Sequence, residues 1–327
     1  MILRTLGLFL FAASLPFAAT CLILWRAGVF EKFWFWTFTY AREYASVLAL
    51  SPGMEILWQV LPRVVGPNWG IWILAVTGLA LLWWEKPNRA SVVFVSAFLI
   101  FSFLAVCPGF YFRPHYFVFV LPAVALVAGA SVAFARKVLG NALPFWLFAG
   151  LLLLSVVPQR EFLFRMSDRQ VSRALYGTNP FPEAVTVAAY ISQHSTKDSR
   201  IAVLGSEPEI YFYARRRSAT SYIYTYALME PQPFALEMQN ELIRDIETVG
   251  PEYVVVISVP TSWLRGPSSP TRLFDWWREY RPRHYELVGV ADIISNDETV
   301  YQWDAAAVAY QPRSSSFVAV YRRKTGA

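Results

Sequence analysis

Apolar residues along the first half of the chain fall into long uninterrupted runs. In the second half they alternate with polar residues at helical and strand spacing. Leu6–Trp25 is a first run of about 20 residues, enough to cross ~30 Å of hydrocarbon. Trp69–Trp84, Ala90–Cys107, Phe117–Ala135 and Ala142–Val157 follow, so the pattern predicts five spans. The 28–50 stretch is different. Its aromatics are dense, but Glu31, Lys32, Arg42 and Glu43 interrupt them. At 3.6 residues per turn those charges share one side. Phe30, Trp34, Phe38, Ala41, Ala45 and Leu48 share the other, which predicts one amphipathic helix lying in the membrane interface. Ser51-Pro52-Gly53 ends that helix, and Met54–Val65 is a second amphipathic piece stopped by Gly66-Pro67-Asn68.

From Gln159 the pattern becomes that of an ordinary folded domain. Helices are expected from Phe181 to about Ser195, and over Pro208–Arg215, Pro233–Val249 and Pro270–Tyr280. Strands are expected over Arg200–Gly205, Ala219–Tyr224, Tyr253–Val259, Tyr285–Val290, Val300–Trp303 and Phe317–Tyr321. Strands alternating with helices predict a small α/β domain with a largely parallel sheet. The expected architecture is therefore an α-helical polytopic membrane domain, residues 1–158, followed by a small α/β extracytoplasmic domain, residues 159–327.

Composition sharpens this division. Of 327 residues 56% are hydrophobic and 17% aromatic, too apolar for a purely soluble chain. Residues 1–158 hold 10 Lys/Arg against 4 Asp/Glu, and residues 159–327 hold 19 of each, so the net charge of +6 belongs to the first half. Arg215-Arg216-Arg217 is the only dense basic cluster, which is too little for nucleic-acid binding. Cys21 and Cys107 form no disulfide framework and no metal-type spacing, and no cofactor is expected. Arg4, Lys86 with Arg89, and Arg136 with Lys137 fall on one side of five spans, which predicts that side to be cytoplasmic. The 28–68 stretch, residues 108–116 and the carboxy-terminal domain then share the outer side of a cell inner (plasma) membrane.

Candidate chemistry concentrates between two spans, in C-P-G-F-Y-F-R-P-H-Y-F-V-F-V-L-P (Cys107–Pro122), where Arg113, His115 and four aromatics fall within seven residues. A charge at that depth needs work or a partner. One reading is a head-group site for a phosphorylated lipid built on Arg113, His115 and Tyr116, with Arg42 and Glu43 as further substrate-site candidates. The other is an interfacial anchor in which Arg113 snorkels and the aromatics form a belt. In the second half, Glu207 and Glu209 follow a strand and begin a helix; the helix dipole favours carboxylates there. His194 and His284 are expected in exposed loops. No hydrolase, nucleotide or dinucleotide motif is present.

Four stretches together resemble the family 39 glycosyltransferases of the membrane-bound GT-C class, bacterial relatives of the dolichyl-phosphate-mannose–protein mannosyltransferases and of the aminoarabinose transferase. They are Phe33–Ser46, Arg113–Gly129, Tyr176–Ala184 and Arg200–Ala214. The resemblance implies transfer of a sugar from a polyprenyl-phosphate donor to an acceptor on the outer face. It also implies that Arg113 and His115 lie near the lipid phosphate. The family's acidic pair, in its first outer loop, has no counterpart before Phe33. The chain is therefore expected to correspond to the carboxy-terminal part of such an enzyme, with its catalytic residues unassigned and its missing spans either lost to a misplaced or truncated start or carried by a partner chain. A non-catalytic membrane subunit that binds lipid-linked sugar or a partner protein is the alternative.

Overall fold

A computed structural model describes residues 2–85, 88–140 and 142–326. Lys86, one of the charges used for orientation, lies outside them. The chain divides into two compact units, Met1–Gln159 and Arg160–Ala327.

The first unit is helical. Helix α1 covers Ile2–Arg26, and the 28–50 stretch is not one helix but three pieces. These are α2 (Phe30–Trp34), a π-helical turn (Phe35–Thr39) and α3 (Tyr40–Ala45). A π turn absorbs one residue more than an α turn, so the expected stripe is broken between Trp34 and Ala41. Ser51-Pro52-Gly53 opens the next helix, α4 (Leu50–Val65), rather than closing the one before. Proline is tolerated in a first turn, where its missing N–H costs nothing. Gly53 is needed there for close approach, because a Cβ would lie 2.5 Å from Cβ of Phe110. Nor is Gly66-Pro67-Asn68 a stop. It is a 3₁₀ turn that carries α4 straight into α5 (Trp69–Glu85), making one helical stretch of 36 residues.

After α5 come α6 (Arg89–Leu104), α7 (Leu121–Leu139) and α8 (Ala142–Val156). Among the described residues four helices are long and apolar enough to cross a membrane: Leu3–Arg26, Leu50–Glu85, Leu121–Leu139 and Ala142–Phe164. The α6 helix, expected as a span, is apolar but only 16 residues long. Helices α5 and α7 pack at backbone distance. A Cβ on Gly78 would sit 1.8 Å from the Val127 carbonyl oxygen, and the Ser131 hydroxyl donates to the Leu74 carbonyl at 2.6 Å. Small residues and an interhelical hydrogen bond are what hold apolar helices together where burial supplies no driving force.

The second unit is an α/β layer domain with a six-stranded sheet. It begins with α9 (Arg160–Phe164), α10 (Asp168–Tyr176) and α11 (Phe181–Gln193). Then come β1 (Arg200–Leu204), α12 (Glu209–Ala214), β2 (Arg217–Ser218), α13 (Ala235–Val249), β3 (Tyr253–Ser258) and α14 (Pro260–Trp263). The unit closes with α15 (Arg272–His284), β4 (Tyr285–Ile293), β5 (Thr299–Trp303), α16 (Ala305–Ala309) and β6 (Phe317–Arg323).

Strand order is β2-β1-β3-β6-β4-β5. Only the β2-β1-β3 part is parallel; β6, β4 and β5 join antiparallel. The expected parallel sheet is thus half right. Helices return the chain between the first three strands, whereas the short 294–298 turn between β4 and β5 enforces antiparallel pairing. The expected strand over Ala219–Tyr224 is absent; its place is taken by the two-residue β2 immediately before it. Val187, Ile191, Ile201, Val203, Tyr253, Val255, Val318 and Val320 are among the side chains that form the core on the sheet.

His194 lies exposed in the turn after α11, as expected, whereas His284 is the half-exposed last residue of α15. Each stacks on the tyrosine one turn earlier, His194 on Tyr190 and His284 on Tyr280, both with centroids 4.2 Å apart. The basic cluster is not a patch. Arg216 is buried and donates to the carbonyls of Ser192, Ser195, Ala214 and Arg215, closing the carboxyl end of α11.

Candidate functional site

The segment between α6 and α7 folds into two 3₁₀ turns, Pro108–Phe110 and Pro114–Phe119. Between them the backbone turns sharply. Gly109, Phe110 and Phe112 all have positive φ, at 73°, 54° and 42°. Such values are costly for a phenylalanine and persist only where the surroundings hold them. Phe112 is anchored by burial at 2% exposure, within the cluster of Leu57, Val60, Val106, Phe117 and Val124. Arg113 is extended, at φ −62° and ψ 140°, as a residue before proline must be.

This turn lies against α3, so two stretches 67 residues apart share one surface. The Tyr111 ring stacks on Tyr44 with centroids 4.8 Å apart, and the Tyr111 hydroxyl reaches the Tyr44 carbonyl at 3.4 Å. Gly109, whose φ favours glycine, faces Cα of Ala45. The Arg113 guanidinium lies 5.7 Å from the centre of the Tyr111 ring, a cation–π distance. Burial pushes the Tyr44 hydroxyl above the ordinary phenol range. Its hydrogen bond with Tyr116 and that residue's charge reinforce this, while Arg113 and Tyr111 act more weakly and in opposite directions. The Tyr44 phenol is therefore neutral at physiological pH.

Three of the five candidates thus occupy one neighbourhood. Arg113 and Tyr116 are half-buried members of the cluster. His115 is exposed and meets it only edge-on through Tyr116, at 4.8 Å. Arg42 and Glu43 pair with each other at 3.4 Å, with the Arg42 side chain 80% exposed. Nothing described brings them to Arg113. Among the described residues no carboxylate forms an ion pair with Arg113. Tyr44 and Tyr111 are members that sequence reasoning missed. In a stretch so rich in aromatics, nothing marks the two that will stack. A half-buried arginine beside this phenol cluster offers an oxyanion the forked N–H donors of its guanidinium and one unneutralised positive charge.

A second polar cluster lies in the α/β unit, where β1 and β3 run side by side and end together. Glu207, 1% exposed, accepts from the Ser262 hydroxyl at 2.8 Å; Ser262 in turn accepts from the Ser206 N–H at 3.0 Å. Ser206 and Thr225 join their hydroxyls at 3.0 Å. Burial, with Glu209 nearby, pushes Glu207 up to about 8 despite the Ser262 and Ser206 bonds, and burial pushes Glu209 up to about 7. The expectation of dipole-stabilised carboxylates is therefore replaced by buried acids that favour their neutral form. The hydrogen bonds on Glu207 tie two strand-end loops together and make it a structural latch.

No protein-family model and no curated protein matches this chain.

Proposed function

We propose that the chain is the carboxy-terminal part of a membrane glycosyltransferase that takes a sugar from a polyprenyl-phosphate donor and passes it to an acceptor on the outer face of the cell membrane. The observation that carries this reading is the convergence of Arg113 with Tyr44, Tyr111 and Tyr116 at the turn between two apolar helices. In this reading Arg113 holds the phosphate, and the free hydroxyl of the Tyr44–Tyr116 pair donates to one of its remaining oxygens. The aromatic surface around them receives the first prenyl units. One observation favours the alternative, a binding subunit without transfer chemistry. Glu43, the carboxylate next in sequence to Tyr44, is paired with Arg42 rather than turned to the arginine. Sugar transfer by the purified chain alone would exclude the alternative.

Arg113→Ala is expected to weaken polyprenyl-phosphate binding in nanodiscs by roughly 1.5–3 kcal/mol, the scale of a hydrogen bond to a charged group. Arg113→Lys should recover part of this, because it keeps the charge but loses the planar fork. Equal affinities for the parent and both variants would leave only the anchor reading. Orientation is tested separately. Reporter fusions at Asn88, Pro108 and Gly326 should read inside, outside and outside; a cytoplasmic signal at Gly326 would reverse the placement.

A further inference from the structure

The segment that joins the last apolar helix to the α/β unit carries its charges and its apolar groups on unexpected sides. Helix α8 continues through a 3₁₀ turn, Val157–Gln159, into α9, so that Ala142–Phe164 is one helical stretch. Three residues later α10 begins, capped by Ser167 and Gln170 in a reciprocal pair. Its arginines turn inward. Arg173 is 4% exposed and bound to Glu183 at 2.6 Å, and Arg169 donates to the Thr299 hydroxyl at 2.9 Å. Its outward positions include Leu175, 56% exposed, and Tyr176, 54% exposed. Just upstream, Leu163, Phe164 and Met166 are exposed as well.

Scattered exposed apolar residues need no explanation, but this set has three features that do. It falls within fourteen consecutive residues, Leu163–Tyr176, in which Arg173 is buried and Arg169 half-buried. It starts where a membrane-length helix ends, and three residues of chain span at most ~10 Å. Arg160, just upstream, and Arg165, within it, carry exposed guanidinium groups paired with Glu161, giving the mixture of aromatic, aliphatic and arginine side chains that suits the head-group region. Protein supplies the partners on the inward side, so the outer medium is the one that favours Leu, Phe, Met and Tyr.

We propose that Leu163–Tyr176 is an interfacial strap lying in the head-group layer of the bilayer, with α10 seated on lipid by Leu175 and Tyr176 and held to the α/β unit by the Arg173–Glu183 bridge. The inference rests on the membrane placement proposed above.

The test uses the full chain in nanodiscs, with Cys21 and Cys107 replaced by serine and single nitroxide labels at Met166→Cys and Leu175→Cys. Lys197→Cys, in an exposed turn of the α/β unit, serves as the aqueous reference, and Leu153→Cys, exposed on α8, as the hydrocarbon reference. Collision rates with oxygen and with a water-soluble nickel chelate are measured for all four. The ratio of oxygen to nickel at 166 and 175 should lie above that at 197 and below that at 153. Ratios equal to that at 197 overturn the strap while leaving the spans intact. Protection from both reagents overturns it in favour of a protein contact. Nickel access at 153 overturns the membrane placement itself, and the strap with it. Two label sites keep the result readable if one variant folds poorly.

Discussion

Replacing Arg173 by alanine is expected to lower the stability of the α/β unit by about 3–5 kcal/mol, the scale of breaking a buried ion pair by removing one partner. Arg173 is the fastener of its end of the domain. It donates to the Gly177 carbonyl at 3.2 Å, the Asn179 carbonyl at 2.9 Å and Glu183 Oε1 at 2.6 Å. Thr299 donates to the same carboxylate oxygen at 2.6 Å, so α10, the following turn, α11 and β5 meet at one buried charge. Alanine leaves Glu183, fully buried, with only the more distant Arg169 at 4.0 Å as a cation. The double variant Arg173→Met, Glu183→Leu should regain much of the loss, because removing both charges also removes both desolvation costs. Thermal unfolding of the full chain in detergent, with hydrogen exchange over residues 168–193, measures both. An alanine variant that melts and exchanges like the parent would show that the bridge holds nothing.

The second large effect concerns pH. Glu207 has an ordinary carboxyl value of 4.5 when unfolded and about 8 when folded, so the folded unit binds a proton that the unfolded chain releases between those values. Stability from this group is therefore complete below about pH 4.5 and is lost as pH rises through 8, the reverse of a salt-bridged carboxylate. The shift corresponds to as much as about 5 kcal/mol at alkaline pH. Glu209 adds to the loss in the same direction. Asp292 works oppositely. Burial resists its ionisation, but the Arg313 and Ser314 N–H groups and the Tyr310 hydroxyl hold it below the usual carboxylate range, so its contribution disappears in acid. Glu207→Gln should match the parent near pH 5 and outlast it near pH 9. Melting and exchange over 200–214 and 253–263 at both values are the measurement. Parallel losses in parent and variant would mean that Glu207 ionises freely in the fold.

The two units were legible in the sequence to different degrees. Apolar runs announced α1, α5, α7 and α8 because a run of that length has few other homes. Strand positions in the second half were readable because Arg200–Leu204 and Tyr253–Ser258 are short, β-branched and bounded by turns. What the sequence could not show was anything set by contacts between distant residues. Ser51-Pro52-Gly53 reads as a helix stop locally; it opens α4 instead, with Gly53 packed against Phe110, 57 residues away in sequence. A π turn inside an aromatic run leaves no compositional mark. Arg113 stood out as a charge between apolar runs, but its neighbour Tyr44 did not, since the stacking of Tyr44 on Tyr111 depends on how the turn folds back. Arg173, Glu183 and Glu207 were equally hidden, because a buried charge in a polar-looking stretch resembles any solvated one.

Strand β6 is the last of the six to leave the ribosome, yet it sits between β3 and β4 and pairs with both. Until residues 317–323 have been made, the β2-β1-β3 ribbon and the β4-β5 hairpin exist as separate half-sheets, each with an open hydrogen-bonding edge. Assembly of this unit is thus tied to the completion of synthesis through Arg323. A transcript that stops a few codons before Phe317 yields not a shortened domain but two half-sheets with open edges on one chain, a natural substrate for quality-control proteases.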